Sequence, residues 1–240
     1  MDFTSLYSTR IQQSFDDDLV EILNVFRTKL AAKEAVKVTL INYFKGLPII
    51  YPATVLAVDR GNLELDIHPQ QAVAIEHDRY TMIRCPFLPH PLVSHVQYVN
   101  VKKHAAAVNK LCYVEILAEK RAALRLDVDP PEQAEIVSGE QTISGKLVSI
   151  SSQGLAVNVD SYITLESDSD ILVKFILPDP VLQKQVQLAV GASLVDIEGE
   201  GAPYRYKFRI SPDKHQEQLL LRYSFQRQVE VIRSLKEAAE

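Results

Sequence analysis

The chain has 240 residues, of which 47% are hydrophobic and 24% are charged, a composition that is ordinary for a globular protein. Its formal net charge of −5 argues against general electrostatic attraction to nucleic acid or to an anionic membrane, although a small basic site is compatible with it. The length suffices for one large domain or two small ones, each with its own core.

Residues 1–35 predict an N-terminal arm followed by an amphipathic helix. Residues 1–13 indicate a poorly ordered lead-in or a short docking arm, and no basic region leads into an apolar segment, so we expect no signal peptide. Ser14 suits the N-cap, aspartates fill the first turn, and apolar residues recur at helical spacing to about Glu34. We expect this apolar stripe to pack on the following domain, the alternative being a stripe that binds a partner.

From residue 36 the apolar pattern changes to that of short strands, so residues 36–117 predict a first β domain. Strand-like segments occupy residues 36–41, 52–58, 63–67, 72–75, 80–84, 93–101 and 110–117. The turn at residues 59–62, which contains Gly61, predicts a hairpin between the second and third of these segments. Several short strands of this kind are typical of a small barrel or sandwich.

Residues 118–240 predict a second β domain that ends in a long helix over residues 213–239. Its strand-like segments are residues 135–137, 144–149, 155–159, 170–176, 185–195 and 204–210. Two prolines within residues 126–131 exclude a helix there and indicate where the domain opens. The predicted fold class is therefore mainly β, with two small β-barrel or sandwich domains in tandem, an N-terminal helix and a long C-terminal helix.

No group of residues has the spacing of a catalytic or metal site. The six histidines form no His-x-x-x-His pair, and Cys85 and Cys112 form no Cys-x-x-Cys motif, so we expect buried thiols and scattered histidines. No nucleophile elbow or phosphate-binding glycine loop occurs. The longest uncharged run, residues 85–101, contains three prolines and does not predict a membrane span. We expect no enzyme, no metal, no cofactor, no nucleic-acid partner and no membrane insertion.

The segment with the clearest chemical meaning is Arg121-Ala-Ala-Leu-Arg125, preceded by Lys120. A guanidinium is a permanently charged planar fork that can bind a phosphate, or the O6/N7 edge of guanine, with two hydrogen bonds. The same spacing recurs at Arg205 and Arg209, but there the alternation with apolar residues predicts a half-buried strand with a solvated basic face. The first pair differs because it lies in a predicted linker and precedes a polar turn at residues 149–154.

Arg121 and Arg125, followed by Ser151 and Gly154, resemble the signature of the PilZ domain, a bacterial receptor module for cyclic di-GMP. That signature is Arg-x-x-x-Arg followed by (Asp or Asn)-x-Ser-x-x-Gly, and Ser149 stands where the family has Asp or Asn. The β-rich first half and the helix after residue 223 are similar to flagellar-brake-type members. The resemblance implies a cytoplasmic protein in which both arginines hold guanine and phosphate groups, with Lys120 nearby and the turn contacting the second guanine.

The predicted function is that of a cyclic di-GMP effector. Ligand capture at the linker would reorient the two domains and expose a surface for a motility or biofilm protein. The departure at Ser149 weakens a charge-assisted contact, by about 10- to 100-fold in affinity. It leaves open the alternative of a degenerate PilZ-like adaptor that binds no nucleotide and acts through protein contacts or oligomerisation. The apolar series that includes Leu221, Phe225 and Ile232 would allow a homo-oligomer through the C-terminal helix.

Overall fold

The computed structural model of the chain describes residues 6–165, 170–179, 181 and 183–240. The strands are β1 (Tyr7–Thr9), β2 (Val36–Phe44), β3 (Leu47–Asp59), β4 (Asn62–Asp66), β5 (Tyr80–Arg84), β6 (Leu92–Asn100), β7 (Ala105–Ile116), β8 (Leu126–Ser138), β9 (Gln141–Ile150), β10 (Gly154–Val159), β11 (Ile171–Asp179), β12 (Lys184–Glu198) and β13 (Tyr204–Ser211). The helices are α1 (Phe15–Ala31), α2 (Pro69–Asp78) and α3 (Lys214–Ala239), with a 3-10 helix at Leu117–Lys120.

The chain divides into two compact units. The first comprises the chain up to Phe44 together with Pro48–Ala122 and Val231–Glu240. The second comprises Lys45–Leu47 and Ala123–Glu230. Each unit contains a closed six-stranded barrel, so the prediction of a mainly β chain with two small β domains in tandem is confirmed, and both are barrels.

The barrel of the first unit has the strand order β7-β4-β3-β2-β5-β6 and closes because β6 also pairs with β7. Strand β1 adds to this sheet by pairing with β7, with Ser8 opposite Glu115. Helix α1 supplies Ile22 and Phe26 to the same core as the barrel strands. Its apolar stripe therefore packs on the domain that follows it, as the sequence predicts.

The barrel of the second unit has the strand order β10-β13-β12-β11-β8-β9 and is also closed. Strands β11 and β13 alternate between buried and less buried residues, and Tyr206, Phe208 and Ile210 of β13 all lie in the core. The first half of α3 joins that core through Leu219, Leu220 and Tyr223. Burial of these apolar side chains, at roughly 25 cal/mol per Å², is the main favourable contribution to closing the barrel.

The predicted start of α1 is confirmed. Ser14 has extended backbone angles, and its hydroxyl accepts a hydrogen bond from the backbone N–H of Asp17 at 3.1 Å. The helix ends at Ala31 rather than near Glu34, because Lys33 adopts a left-handed conformation that interrupts the hydrogen-bonded turns. None of the helices within the described residues combines the length and the apolar character that a membrane crossing requires.

One of the local predictions is wrong, and one strand begins earlier than the sequence predicts. Residues 72–75, predicted as a strand, lie inside α2, where Pro69 occupies the first turn and His68 accepts from the backbone N–H of Gln70. The four apolar residues are buried on every side, so their pattern does not distinguish a helix from a strand. Residues 126–131 contain no helix, as predicted, but they belong to β8, which begins at Leu126 instead of residue 135 and contains an irregularity before Glu132.

A buried polar cluster centred on Asn42 lies within the first unit. The amide of Asn42 donates to Asp78 at 2.9 Å and to the carbonyl of Tyr80 at 2.8 Å. Its oxygen accepts from Gln71 at 2.7 Å and from Thr81 at 2.8 Å. One side chain of β2 thus satisfies groups from α2 and β5, and it fixes the placement of the three elements.

We predict that Asn42→Ala lowers the free energy of unfolding by about 2–4 kcal/mol, because several buried polar groups lose their partner at once. Asn100→Ala is the matched control, since Asn100 makes its hydrogen bonds at the surface and should cost below about 1 kcal/mol. Thermal and urea unfolding followed by circular dichroism would measure both. Equal losses for the two variants would contradict the role assigned to the cluster.

Candidate functional site

The first part of the arginine segment belongs to the first unit. Lys120 ends the 3-10 helix, and its ammonium group contacts Glu115 at 2.7 Å, which lowers the pKa of that exposed carboxyl. Arg121 follows directly, is half-buried, and donates its backbone N–H to the carbonyl of Ala118 at 3.4 Å. Lys120 and Arg121 are therefore both held by local contacts around the end of β7.

Arg125 belongs to the second unit and comes immediately before β8. Strand β8 pairs with β9 so that Leu126 lies opposite Ile150 and Asp127 opposite Ser149. Because the strands are antiparallel, this register brings Arg125 level with Ser151. Two stretches that lie more than twenty residues apart in sequence thus meet at one end of the barrel. Their meeting places Arg125 beside the predicted polar turn.

The turn between β9 and β10 is closed by hydrogen bonds around Ser151. The Ser151 hydroxyl accepts from the backbone N–H of Gly154 at 3.0 Å and from that of Gln153 at 3.3 Å. The backbone N–H of Ser151 donates to the carbonyl of Gly154 at 2.8 Å. Ile210 of β13 also donates its N–H to the carbonyl of Gln153 at 3.1 Å. The hydroxyl of Ser151 therefore stabilises the turn by accepting from two of its backbone N–H groups.

Gly154 is required by close backbone approach. A Cβ atom built on it would lie 2.8 Å from the carbonyl oxygen of Phe208, which belongs to the neighbouring strand β13. Its φ is not in the left-handed region, so conformational freedom is not the reason for a glycine here. The reason is instead that a neighbouring strand of the same barrel passes too close to leave room for a side chain.

The residues of β9, β10 and β13 that point away from their own barrel core form a face that we call the outer wall, and its members Ser149 and Ala156 are fully buried. Its residues are Lys146, Ser149, Ala156, Asn158, Arg205, Lys207 and Arg209, which alternate with residues of the barrel core. Arg209 lies opposite Gly154, Lys207 opposite Ala156 and Arg205 opposite Asn158. The basic face that the sequence predicts for β13 therefore adjoins the Ser151–Gly154 turn, which the sequence pattern does not show.

The cations of the outer wall differ in how far they are neutralised. Lys207 is paired with Glu198 and lies 3.5 Å from Asp196, both on β12. Within the part of the chain that the structure describes, Lys146, Arg205 and Arg209 lie within 4 Å of no carboxylate. The wall therefore retains positive charge although the chain as a whole is acidic.

Ser149, where the sequence departs from the PilZ signature, lies beneath Arg205. Its side chain is fully buried, and its hydroxyl accepts from the guanidinium of Arg205 at 3.3 Å. Ser149 lies opposite both Asp127 and Ala156, and so stands at the centre of the wall. The sequence predicts only that Arg205 lies on a solvated face, because the pattern of one strand does not reveal the register of β9, β10 and β13.

Gly46 is a second residue that sequence reasoning did not connect with this site. Its φ is +82°, and a Cβ atom on it would lie 2.5 Å from the carbonyl oxygen of Arg125. The backbone carbonyl of Lys45 accepts a hydrogen bond from the N–H of Asp127 at 3.2 Å, and the Lys45 ammonium contacts Asp129 at 3.0 Å. The short stretch Lys45–Leu47, which belongs to the second unit, thus holds the backbone on both sides of Leu126.

The described residues, all but 1–5, 166–169, 180 and 182, contain no cluster of three or more His, Cys, Asp or Glu side chains that could hold a metal ion. Burial raises the pKa of the Cys85 thiol to about 12 and also raises that of Cys112. Both cysteines are free and buried, as the sequence predicts, and are poor nucleophiles near neutral pH.

Comparison with known families places a match on the second half of the chain. Residues 119–226 match the PilZ domain. No curated protein matches the sequence.

Solved structures are similar to the chain only at low identity. The inhibitor of motility MotI/DgrA of Bacillus subtilis is 15% identical, with a TM-score of 0.43, covering 82% of this chain and 97% of its own. YcgR of Escherichia coli in complex with c-di-GMP is 16% identical, with a TM-score of 0.42, covering 91% and 94%. The MrkH–c-di-GMP complex of K. pneumonia is 9% identical, with a TM-score of 0.43, covering 95% and 99%.

We predict that Gly154→Ala destabilises the second unit by about 1–3 kcal/mol, because the added methyl group forces β10 and β13 apart. Gly191→Ala in β12 is the control, since nothing lies within 4 Å of the methyl group it would add. Alanine there should be neutral or slightly stabilising. Chemical unfolding of both variants would measure the difference, and a Gly154 variant as stable as the Gly191 variant would contradict the close-approach explanation.

Proposed function

We propose, from the premise that residues 119–226 form a PilZ domain, that the protein is an effector that binds cyclic di-GMP and controls motility or biofilm behaviour. The observation that carries the proposal is the β8–β9 register, which brings Arg125 level with Ser151 of the Ser-x-x-Gly turn. A dianionic dinucleotide needs cations and hydrogen-bond donors together at one place, and this end of the barrel supplies both.

Each motif residue has a proposed role in binding. Arg121 and Arg125 would use their planar forks for the phosphates and for the O6/N7 edge of guanine, and Lys120 would add positive charge beside them. Ser151 and Gly154 would present the turn, whose backbone accepts no side chain at Gly154. Ser149 would contribute a hydroxyl where a carboxylate or amide would bind the base more strongly.

The proposed output is a change in the arrangement of two domains, residues 36–117 and 118–240. The two arginines belong to different compact units, Arg121 to the first and Arg125 to the second. A ligand that bound both arginines would favour one arrangement, and a differential affinity of about 2–3 kcal/mol would give a useful population shift. The output would be a surface for a motility or biofilm protein. No catalytic step is part of this proposal.

A second function, that of an adaptor that binds no nucleotide, is favoured by two observations. The hydroxyl of Ser149 is buried and already hydrogen-bonded to Arg205. Helix α3 also exposes an apolar series at helical spacing, which consists of Leu221, Phe225, Val229 and Ile232. Such a series is typical of a surface that another helix covers, so an adaptor or a homo-oligomer through α3 is the alternative.

We predict that the full chain binds cyclic di-GMP saturably and that Arg125→Ala weakens binding at least about tenfold, because a charge-assisted contact is lost. Arg233→Ala is the matched control, since Arg233 is an exposed arginine of α3 paired with Glu237. Isothermal titration at a fixed salt concentration would measure all three proteins. No heat at about 100 µM nucleotide, with the folded state verified, would contradict the receptor function and favour the adaptor.

We also predict that saturating cyclic di-GMP changes the distance between the two units. Spin labels on Lys37→Cys and Thr142→Cys, both exposed strand positions, report one unit each. The native thiols are buried, with raised pKa values, and should react slowly with the label.

Pulsed electron–electron double resonance, recorded with and without nucleotide, would give the two distributions of the distance between the spin labels. The same labelled protein carrying Arg125→Ala is the control and, at the lowest nucleotide concentration that saturates the unsubstituted protein, should show a smaller ligand-dependent change. Identical distributions for the unsubstituted protein, under conditions where titration shows saturation, would contradict domain reorientation and leave binding intact.

A further inference from the structure

Two buried polar atoms without a hydrogen-bond partner lie on neighbouring strands of the outer wall. They are the Nε of Arg205 on β13 and the Oδ1 of Asn158 on β10, and neither has a partner among the described residues. Arg205 and Asn158 are directly opposite each other in the β10–β13 register. One atom is a donor and the other is an acceptor, so a single pair of residues offers both kinds of hydrogen bond.

An unpartnered buried polar group costs free energy, and natural proteins keep few of them. Both atoms lie on the outward side of the barrel, since Val157 and Tyr206, their neighbours in sequence, belong to the core. They also lie close to Ser149. Its strand partner is Ala156, and Asn158 follows Ala156 by two residues on β10. Since both atoms are covered, a ligand on the outer wall would supply the missing partners only after the two side chains turn outward.

The chemical pattern matches guanine. A guanidinium donates to the O6 and N7 acceptors of guanine, and an amide oxygen accepts from its N1–H and 2-amino donors. Adenine presents an amino donor where guanine has O6, so the same pair would bind it poorly. The positive charge of Arg205 suits a dianionic nucleotide, because Glu198, which lies opposite it on β12, is paired with Lys207 instead.

Ser149 holds the guanidinium of Arg205 in place. Its hydroxyl accepts from Nη2 at 3.3 Å, which leaves Nε without a partner among the described residues. Serine at position 149 therefore lacks the carboxylate or amide oxygen that would accept from guanine, but its hydroxyl orients the guanidinium of Arg205, which is a donor. An acceptor in place of the carboxylate or amide at position 149 is offered by Asn158 Oδ1 on the neighbouring strand, two residues beyond Ala156, which is the strand partner of Ser149.

We propose that Arg205 and Asn158 bind one guanine of the nucleotide on the outer wall, with Ser149 as a positioning residue for Arg205. The inference rests on the proposed binding of cyclic di-GMP and adds two ligand-binding residues to it. In this arrangement serine at position 149 does not abolish binding of guanine, because the base is hydrogen-bonded by a donor, Arg205 of β13, and an acceptor, Asn158 of β10.

The test uses the full chain and titration with cyclic di-GMP. Arg205→Ala and Asn158→Ala are each expected to weaken binding about tenfold, the effect of one lost hydrogen bond to a charged or closely fitted group. Arg205→Lys keeps the charge but not the fork, and should bind about as weakly as Arg205→Ala. Lys174→Ala removes a cation from β11, across the barrel from β10, and should leave affinity unchanged.

A second ligand isolates the acceptor role of Asn158. Cyclic di-IMP carries hypoxanthine, which lacks the 2-amino group of guanine, and the unsubstituted protein should bind it about tenfold more weakly. In Asn158→Ala the difference between the two nucleotides should shrink, because the group that senses the amino donor has been removed. The unfolding temperature of each variant verifies that it is folded.

The outcomes separate this inference from the function on which it rests. Absence of binding by the unsubstituted protein refutes the receptor function itself. Binding that Arg125→Ala weakens but that Arg205→Ala and Asn158→Ala leave unchanged refutes only the outer-wall contact. Tighter binding by Arg205→Ala would show that the guanidinium covers the site instead of reading the base. Full affinity in Arg205→Lys would assign the effect to charge alone.

Discussion

The antiparallel register from β8 through β9 and β10 to β13 determines where the groups of the candidate site lie. Each pairing fixes which residues face outward together, so that Asp127, Ser149, Ala156 and Lys207 lie on one line across four strands. Barrel closure makes a slip by one residue costly, because it would turn a whole strand of core side chains toward water. The irregularity between Ala156 and Val157 then sets the position of Asn158.

Two close contacts of backbone hold the ends of this arrangement. Gly154 admits the carbonyl of Phe208, and Gly46 admits the carbonyl of Arg125, at distances that no side chain allows. The serine hydroxyl of the turn satisfies two backbone N–H groups that would otherwise need water. Rigid support of this kind is what a binding site requires, because the cost of ordering the contacting groups is met during folding.

The electrostatics of the site are local. The chain carries a net charge of −5, yet the outer wall keeps Arg205 and Arg209 without a carboxylate within 4 Å among the described residues. The nearby carboxylates of β12 are engaged by Lys207. A positive patch on an otherwise acidic chain suits a small anionic ligand better than an extended polyanion, since a polyanion would also contact the acidic remainder of the surface.

The sequence by itself determined the strand-rich class, the N-cap at Ser14, the β3–β4 hairpin, the long C-terminal helix and the Arg-x-x-x-Arg and Ser-x-x-Gly motif, because each depends on residues close in the chain. It did not distinguish a helix from a strand at residues 72–75, where burial on all sides removes the periodicity. Only the tertiary structure placed Arg205 over Ser149, Asn158 beside Arg205 and Gly46 under Arg125. These neighbours are set by strand register and barrel closure, which join residues of distant sequence and leave no local pattern.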